Sequence, residues 1–87
     1  MQDAARETTG LSVIKKMIED HLAQAERHVT LGESHITRQR ELIVQLHRDG
    51  LDIAEAAQLL VQFRELQALH VADRDRLRKQ LRDGQFS

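Results

Sequence analysis

The sequence has no cysteine, proline, tryptophan or tyrosine, and it has only two phenylalanines, Phe63 and Phe86. Without cysteine the chain forms no disulfide, which fits a reducing compartment. Strands favour β-branched and aromatic residues in alternation, and the sequence is poor in aromatics. Because Ala, Leu, Gln, Glu and Arg dominate instead, the composition predicts an all-α fold.

The sequence also lacks an excess of charge of either sign and any long apolar run. Thirteen basic and 14 acidic side chains give a formal net charge of −1, and they are spread along the chain. This balance argues against a broad contact with nucleic acid or anionic lipid. No signal peptide or membrane span is recognisable. We therefore expect one cytoplasmic domain, whose 87 residues would form only a thin core as a monomer.

A seven-residue repeat between Glu19 and Leu46 is the strongest pattern that is present. It aligns two columns, which predict one packing stripe on a long helix. The first column is Leu22, Val29, Ile36 and Ile43, and the second is Ile18, Ala25, Gly32, Gln39 and Leu46. The pattern predicts a helix from about residue 11 to 49. The polar residues 1–10 carry no such period, so we expect a flexible arm there.

A stop signal and a start signal follow each other closely after this helix. Gly50 can adopt the left-handed conformation that ends a helix, with Leu51 folding back on Leu46. Asp52 can then cap a second helix, and Glu55 completes an acidic capping box. We expect a turn at 50–52, a helix at about 53–82 and a tail at 84–87. Residues 11–83 would thus form an antiparallel helical hairpin.

Folding the chain back at the turn predicts which residues of the two helices lie level. The expected pairs are Leu46 with Ala56, Ile43 with Leu59, Gln39 with Phe63, Gly32 with His70, and Ala25 with Leu77. His70 would fill the space that glycine leaves at position 32. On the rim, Glu26 would lie near Arg74 or Arg76, and Glu19 near Arg82, as weak ion pairs.

Two packed helices bury only the side chains along the line where they meet, so apolar residues elsewhere on their surfaces stay exposed to solvent. These include Leu31, Leu42, Leu69 and an overhang at Leu11–Met17 that extends past the shorter second helix. A second hairpin would cover them, which predicts a homodimeric four-helix bundle. The predicted packing and dimer residues are Leu11, Ile14, Ile18, Leu22, Ala25, Val29, Gly32, Ile36, Gln39, Ile43, Leu46, Ala56, Leu60, Phe63, Leu66, His70, Leu77 and Leu81.

Three histidines, His21, His28 and His35, recur at seven-residue spacing. Neighbours in this column lie about 10 Å apart along a helix, too far to share one metal ion. A site for zinc or haem would need His70, another polar side chain or a second chain to converge on one of them. The simpler interpretation places the histidines at the edge of the seam, with no metal or cofactor. A pH-sensitive association stays open as a third interpretation.

Other chemistry has weaker support in the sequence. Ser34–Arg38 resembles the box that carries the phosphorylated histidine of dimeric sensor kinases, which implies phosphotransfer on His35. It departs from that box at Ile36, where an acidic residue is usual, and the proline after the arginine is missing. The basic C-terminal turns suggest RNA binding, but no aromatic is there for base stacking. No set of residues typical of an enzyme is present.

The segments 38–50, 57–63 and 67–70 resemble a group of short, uncharacterised bacterial helical proteins, and this resemblance implies no activity. The leading hypothesis from the sequence is a non-enzymatic interaction or regulatory protein. It would dimerise and present its outer faces or ends to a protein partner of unknown identity. The alternatives are a metal- or haem-carrying bundle and a histidine-phosphotransfer or RNA-binding hairpin.

Overall fold

Two helices packed side by side make up the described part of the chain. The structure is a computed structural model that describes the backbone of residues 2–84 and the side chains of residues 10–84. Helix α1 spans Gln2–Arg48 and helix α2 spans Ala54–Asp83. They form an antiparallel hairpin with dimensions of 74 × 16 × 14 Å. The predicted all-α hairpin is confirmed, and no strand occurs within residues 2–84.

The start of α1 differs from the prediction. The helix begins at Gln2 rather than near residue 11, so Gly10 lies inside it and not at its boundary. Residues 2–7 are rich in Ala, Arg, Glu and Gln, which favour helix even where no apolar stripe is present. A glycine inside a helix costs only about 1 kcal/mol, which does not end a helix. Met1 and residues 85–87 lie outside the described residues, as does most of the predicted tail.

The turn between the helices follows the predicted chemistry. Gly50 has a φ of +70°. The Leu51 N–H donates to the Leu46 carbonyl at 2.9 Å, and the Gly50 N–H donates to the His47 carbonyl at 3.1 Å. This pair of bonds is a Schellman motif, which satisfies carbonyls that the end of α1 would leave free. The left-handed glycine and the return to Leu46 are therefore confirmed.

Asp52 and Gly84 mark the two ends of α2. The N-cap of α2 is Ile53, which has no side-chain cap bond, and not the predicted Asp52; the Asp52 carboxylate accepts a hydrogen bond from the Ala54 N–H at 3.0 Å. The Ala57 N–H donates to the Ile53 carbonyl at 2.8 Å, so Ile53 already takes part in the first turn. Gly84, with a φ of +68°, closes the helix at its other end. The predicted helix bounds are correct to one residue here.

The core of the hairpin is thin, as its length predicts. Buried apolar residues lie along the seam, which we define as the line where α1 and α2 meet, and Ile18, Ala25 and Leu77 form one cluster with the partly buried Leu22 and Leu81. Val29, Ala56 and the polar Gln39 are also buried. No large side chain among residues 10–84 is completely enclosed. No helix in the described range is long and apolar enough to cross a membrane.

The register of the two helices differs from the fold-back prediction in the middle of the hairpin. Gly32 lies against Gln67 and not against His70, a difference of three residues or about 4.5 Å along α2. The prediction counted levels along the axis only. Which residue of α2 faces Gly32 also depends, however, on how α2 is rotated about its own axis. The prediction that His70 fills the space at Gly32 is therefore wrong.

Candidate functional site

The two long faces of the hairpin differ in chemistry. On one side of the seam, which we call the histidine face, every seventh residue of α1 from Ile14 to Leu42 is exposed and either apolar or histidine. Met17 and Leu31 extend this face on α1, and α2 adds three exposed leucines. The histidine face thus comprises Ile14, Met17, His21, His28, Leu31, His35, Leu42, Leu59, Leu66 and Leu69.

The opposite side, which we call the charged face, carries charges at the equivalent positions. It comprises Glu19, Glu26, Glu33 and Arg40 from α1, and Arg64 and Arg78 from α2, all exposed. The Arg78 guanidinium lies 3.8 Å from the Glu26 carboxylate, and this contact links the two helices. The predicted partners of Glu26, Arg74 and Arg76, are wrong because Arg78 is the residue on this side of α2. Solvent-exposed pairs of this kind contribute about 0–1 kcal/mol.

Exposed apolar side chains are concentrated on the histidine face. Seven of the twelve large apolar side chains that are exposed within residues 10–84 belong to it, against Val44 and Val61 beside the charged face. Leu31, Leu66 and Leu69 are 56%, 52% and 67% exposed. A concentration of exposed apolar side chains on one side of a small protein is typical of a protein contact site.

A groove of about 310 Å³ lies in the middle of the histidine face. Its floor is Gly32 and Gln67, and its walls are contributed by both helices. The lining residues are His28, Leu31, Gly32, His35, Phe63, Leu66, Gln67 and His70. Gly32 contributes no side chain to this groove, which both helices line.

Gln67 fills the space above Gly32. A Cβ built on Gly32 would lie 1.8 Å from the Gln67 Oε1 atom, so this close approach requires glycine. The Gln67 Nε2 group donates to the Val29 carbonyl at 2.8 Å. Its Oε1 atom is buried and has no hydrogen-bond donor among the side chains and backbone that the structure describes. The Gln67 amide therefore links the two helices through its Nε2 group alone.

Gln39 makes a similar link nearer the turn. Its Nε2 group donates to the Ala56 carbonyl at 2.9 Å, and the side chain is buried. Each helix thus contributes one glutamine whose amide bonds to a backbone carbonyl of the other. Such bonds have directional geometry, so they fix the register of the two helices more than they stabilise them.

The histidines of the column differ in their neighbours. The His28 ring lies 5.2 Å from the His70 ring, measured between centroids, and the His35 ring lies 5.7 Å from the Phe63 ring. His21 lines a second groove together with Asp73 and Arg76. The structure therefore places the His70 ring beside the His28 ring, while His35 lines the same groove with its ring against Phe63. His70 comes from α2 and is half-buried.

A complete metal site is not formed by one hairpin. Within the side chains of residues 10–84, no three His, Asp or Glu residues converge on a point where they could hold an ion. The closest approach to such a site is the His28 and His70 pair, with two imidazoles. His70, which the sequence analysis named as a residue that could converge on the column, meets His28 at this groove, and the polar Gln67 lines the groove as well.

The basic turns at the end of α2 lie beside carboxylates. Arg74 lies 3.1 Å from Asp75 and Arg82 lies 3.4 Å from Asp83. Arg76 pairs with Asp73. Elsewhere Lys16 contacts Asp20 at 2.8 Å, and the hydrogen bond to this carboxylate, together with its charge, raises the pKa of Lys16. The ion pairs of Arg74, Arg76 and Arg82 leave little unbalanced positive charge on α2.

The overhang is exposed as predicted. Leu11, Val13 and Met17 are each 53% exposed, whereas Ile18, where α2 ends beside α1, is buried. With about 1.5 Å per residue, α1 is about 70 Å long and α2 about 45 Å, so α1 extends about 25 Å beyond its partner. Ile14 and Met17 continue the histidine face into this overhang.

Comparison of the chain with protein-family models, with curated proteins and with solved structures finds no match. The candidate site is therefore defined by the geometry of the hairpin alone. Sequence reasoning missed Gln67 as the partner of Gly32, and it assigned Leu59 and Leu66 to the seam although both are exposed. The seam column of α2 at seven-residue spacing is Ile53, Leu60, Gln67, Arg74 and Leu81, all partly buried, and its two polar members hide it from an apolar pattern.

Proposed function

We propose that this protein is a non-enzymatic, homodimeric helical-bundle protein whose two copies pack through their histidine faces. The four helices would form one core, and the charged faces and overhanging ends would stay available to a protein partner. The observation that carries this proposal is the concentration of exposed apolar side chains on one long face of the hairpin. A cytoplasmic location remains a prediction from the sequence.

The size of the histidine face is adequate for a dimer. Over the part of the hairpin where both helices are present, the face is about 45 Å long. The hairpin is about 16 Å wide, so a docked copy would cover on the order of 700 Å² of each partner. Stable dimers bury about 800 Å² per partner, and the overhang adds to the available area.

The charges of the histidine face also favour a second copy over a strongly charged partner. A two-fold dimer brings a surface patch against the same patch, so an unbalanced charge would repel itself. In its central part this face carries three charged side chains, Arg38, Asp73 and Arg76. Asp73 and Arg76 neutralise each other as an ion pair. Arg38 adds one positive charge, so the net charge that each copy would bring to the contact is small.

The alternatives from the sequence gain less support. The arginines near the end of α2 lie beside carboxylates, which weakens the attraction that a phosphate backbone would need. His35 lies against Phe63 at the wall of the groove, a packing contact that a phosphorylated imidazole would disturb. Neither RNA binding nor phosphotransfer has a specific observation in its favour.

Sedimentation equilibrium of the full chain tests the proposal. The chain has a mass of 10.0 kDa, and we expect a species of twice that mass at micromolar concentration in the presence of EDTA. A second measurement, hydrogen exchange at increasing concentration, should show protection on the histidine face and none on the charged face. A monomer at all concentrations, or protection confined to the charged face, would refute the proposal.

A further inference from the structure

We infer that His28 and His70 form one half of a metal site that a second copy of the chain completes. The ion would be a late first-row divalent cation such as Zn²⁺, held by four imidazoles, two from each copy. The inference rests on the proposed dimer, because one hairpin supplies only two ligands.

The distance between the two rings fits a shared ion. Zinc binds a histidine nitrogen at about 2.0–2.1 Å in tetrahedral geometry, which places two ring centres on one ion about 5 Å apart. The His28 and His70 centroids are 5.2 Å apart and their planes are inclined at 49°. The two rings come from different helices, so the hairpin itself sets their spacing. His28 and His35, one heptad apart on the same helix, are about 10 Å apart along the axis and cannot do this.

The His28 and His70 pair lies at a level of the hairpin that would face the same pair of a second copy, in a parallel or an antiparallel dimer. If the two hairpins run parallel, every level of one faces the same level of the other. If they run antiparallel, only the level at the centre of the overlap faces itself. His70 lies near the middle of α2, which spans Ala54–Asp83, and His28 lies level with it. A parallel dimer, or an antiparallel dimer whose overlap is centred on α2, would therefore bring four imidazoles together on the two-fold axis.

The surroundings of the pair suit a neutral imidazole ligand set. Leu31, Leu66 and Phe63 line the same groove and would shield the ion from water once the second copy is in place. No carboxylate lines this groove, and Asp73, which lines the neighbouring groove with His28, is paired with Arg76, so hard cations such as Mg²⁺ and Ca²⁺ would find few suitable ligands. Imidazole ligands prefer Zn²⁺, Cu²⁺ and Ni²⁺.

Calorimetric titration of the full chain with ZnCl₂ tests the inference. We expect one Zn²⁺ per two chains, and a loss of affinity of at least about 100-fold in His28→Ala and in His70→Ala. His47→Ala, in the last turn of α1 near the turn, is the matched control and should bind as the wild type does. The conservative variants His28→Gln and His70→Gln should show the same loss and guard against misfolding. Co²⁺ should give the strong visible absorption of a tetrahedral site.

The outcomes separate this inference from the proposed dimer. Dimerisation is measured first in EDTA, and a chain that dimerises there but binds no Zn²⁺ would overturn the metal site alone. Binding that is unchanged in His28→Ala and His70→Ala, or a ratio of one ion per chain, would overturn it as well. A chain that stays monomeric in EDTA but pairs when Zn²⁺ is added would support the metal site and contradict the dimer as a metal-free assembly.

Discussion

The histidine face and the charged face of the hairpin share one seam and differ in what lies beside it. On the charged face, the seam is bordered by glutamates and arginines that water solvates well. On the histidine face, it is bordered by leucines and imidazoles, and seven of the twelve exposed large apolar side chains of the described range lie there. The comparison shows that the hairpin buries its seam and leaves the apolar side chains of the histidine face exposed.

The seam alone is a weak source of stability. Ile18, Ala25, Val29, Ala56 and Leu77 are its buried apolar residues, and two of these five are alanines. Burying apolar surface contributes about 25 cal/mol per Å², so small side chains contribute little. A second hairpin on the histidine face would bury the leucines that the first leaves exposed. We therefore expect mutations on the histidine face to weaken assembly more than mutations on the charged face do.

Glutamate substitutions on the two faces should give the largest contrast. Leu31→Glu with Leu66→Glu removes two apolar contacts, each worth about 1.5–3 kcal/mol when fully buried, and places carboxylates in the interface. We expect the dimer dissociation constant to rise by at least about 100-fold in sedimentation velocity. The matched pair Val44→Glu with Val61→Glu, beside the charged face, should change it by less than about threefold. An equal loss in both double variants would contradict the assignment of the interface.

A leucine at Gly32 should open the seam on the side of the histidine face. The new side chain would displace Gln67 and its bond to Val29, and overpacking of this kind costs about 1–3 kcal/mol. We expect urea unfolding, followed by circular dichroism at fixed protein concentration, to show this loss. Gly10→Leu is the control, because a Cβ there meets nothing within 4 Å. Equal stability of the two variants would mean that the helices are not closely packed at Gly32.

Serine substitutions in the overhang should have a smaller effect. Ile14→Ser with Met17→Ser removes the part of the histidine face that extends beyond α2, and we expect the dimer dissociation constant to rise by about tenfold. Val13→Ser changes an equally exposed residue that lies off this face, and it should leave the constant unchanged. If Val13→Ser weakens the dimer as much as the double variant does, the overhang does not continue the histidine face.

Removing the ion pair of the charged face should have the smallest effect. Glu26→Gln breaks the contact with Arg78, which is exposed and worth about 0.5 kcal/mol or less. We expect the urea midpoint and the dimer dissociation constant to stay within experimental error. A loss of more than about 1 kcal/mol in the free energy of unfolding would show that the charged face is itself part of a packed interface.

The sequence predicted the elements of local structure well. Gly50 and Gly84 act through backbone conformations that depend on a few neighbouring residues, so their roles could be recognised directly, whereas the N-cap of α2 lies one residue after the predicted Asp52. The heptad columns of α1 likewise identified Ile18, Ala25 and Gln39 as facing the other helix. These features can be predicted without knowing which residues of the other helix they contact.

The register and the cross-helix contacts were harder to predict. Whether His70 or Gln67 faces Gly32 depends on the rotation of α2 about its axis, and a difference of three residues moves every facing pair by about 4.5 Å. The pairing of His28 with His70 follows from that rotation. The helical start at Gln2 was missed because intrinsic helix propensity acts without an apolar pattern.

Cross-linking of single cysteines most directly tests whether a second copy covers the histidine face. The chain has no cysteine, so Leu69→Cys and Ala68→Cys each introduce one thiol, at adjacent exposed positions near the middle of α2. Leu69 lies on the histidine face and Ala68 does not. With a short bis-maleimide, we predict a covalent dimer for Leu69→Cys and a monomer for Ala68→Cys. A covalent dimer formed through Ala68→Cys alone, or equally through both positions, would contradict the account.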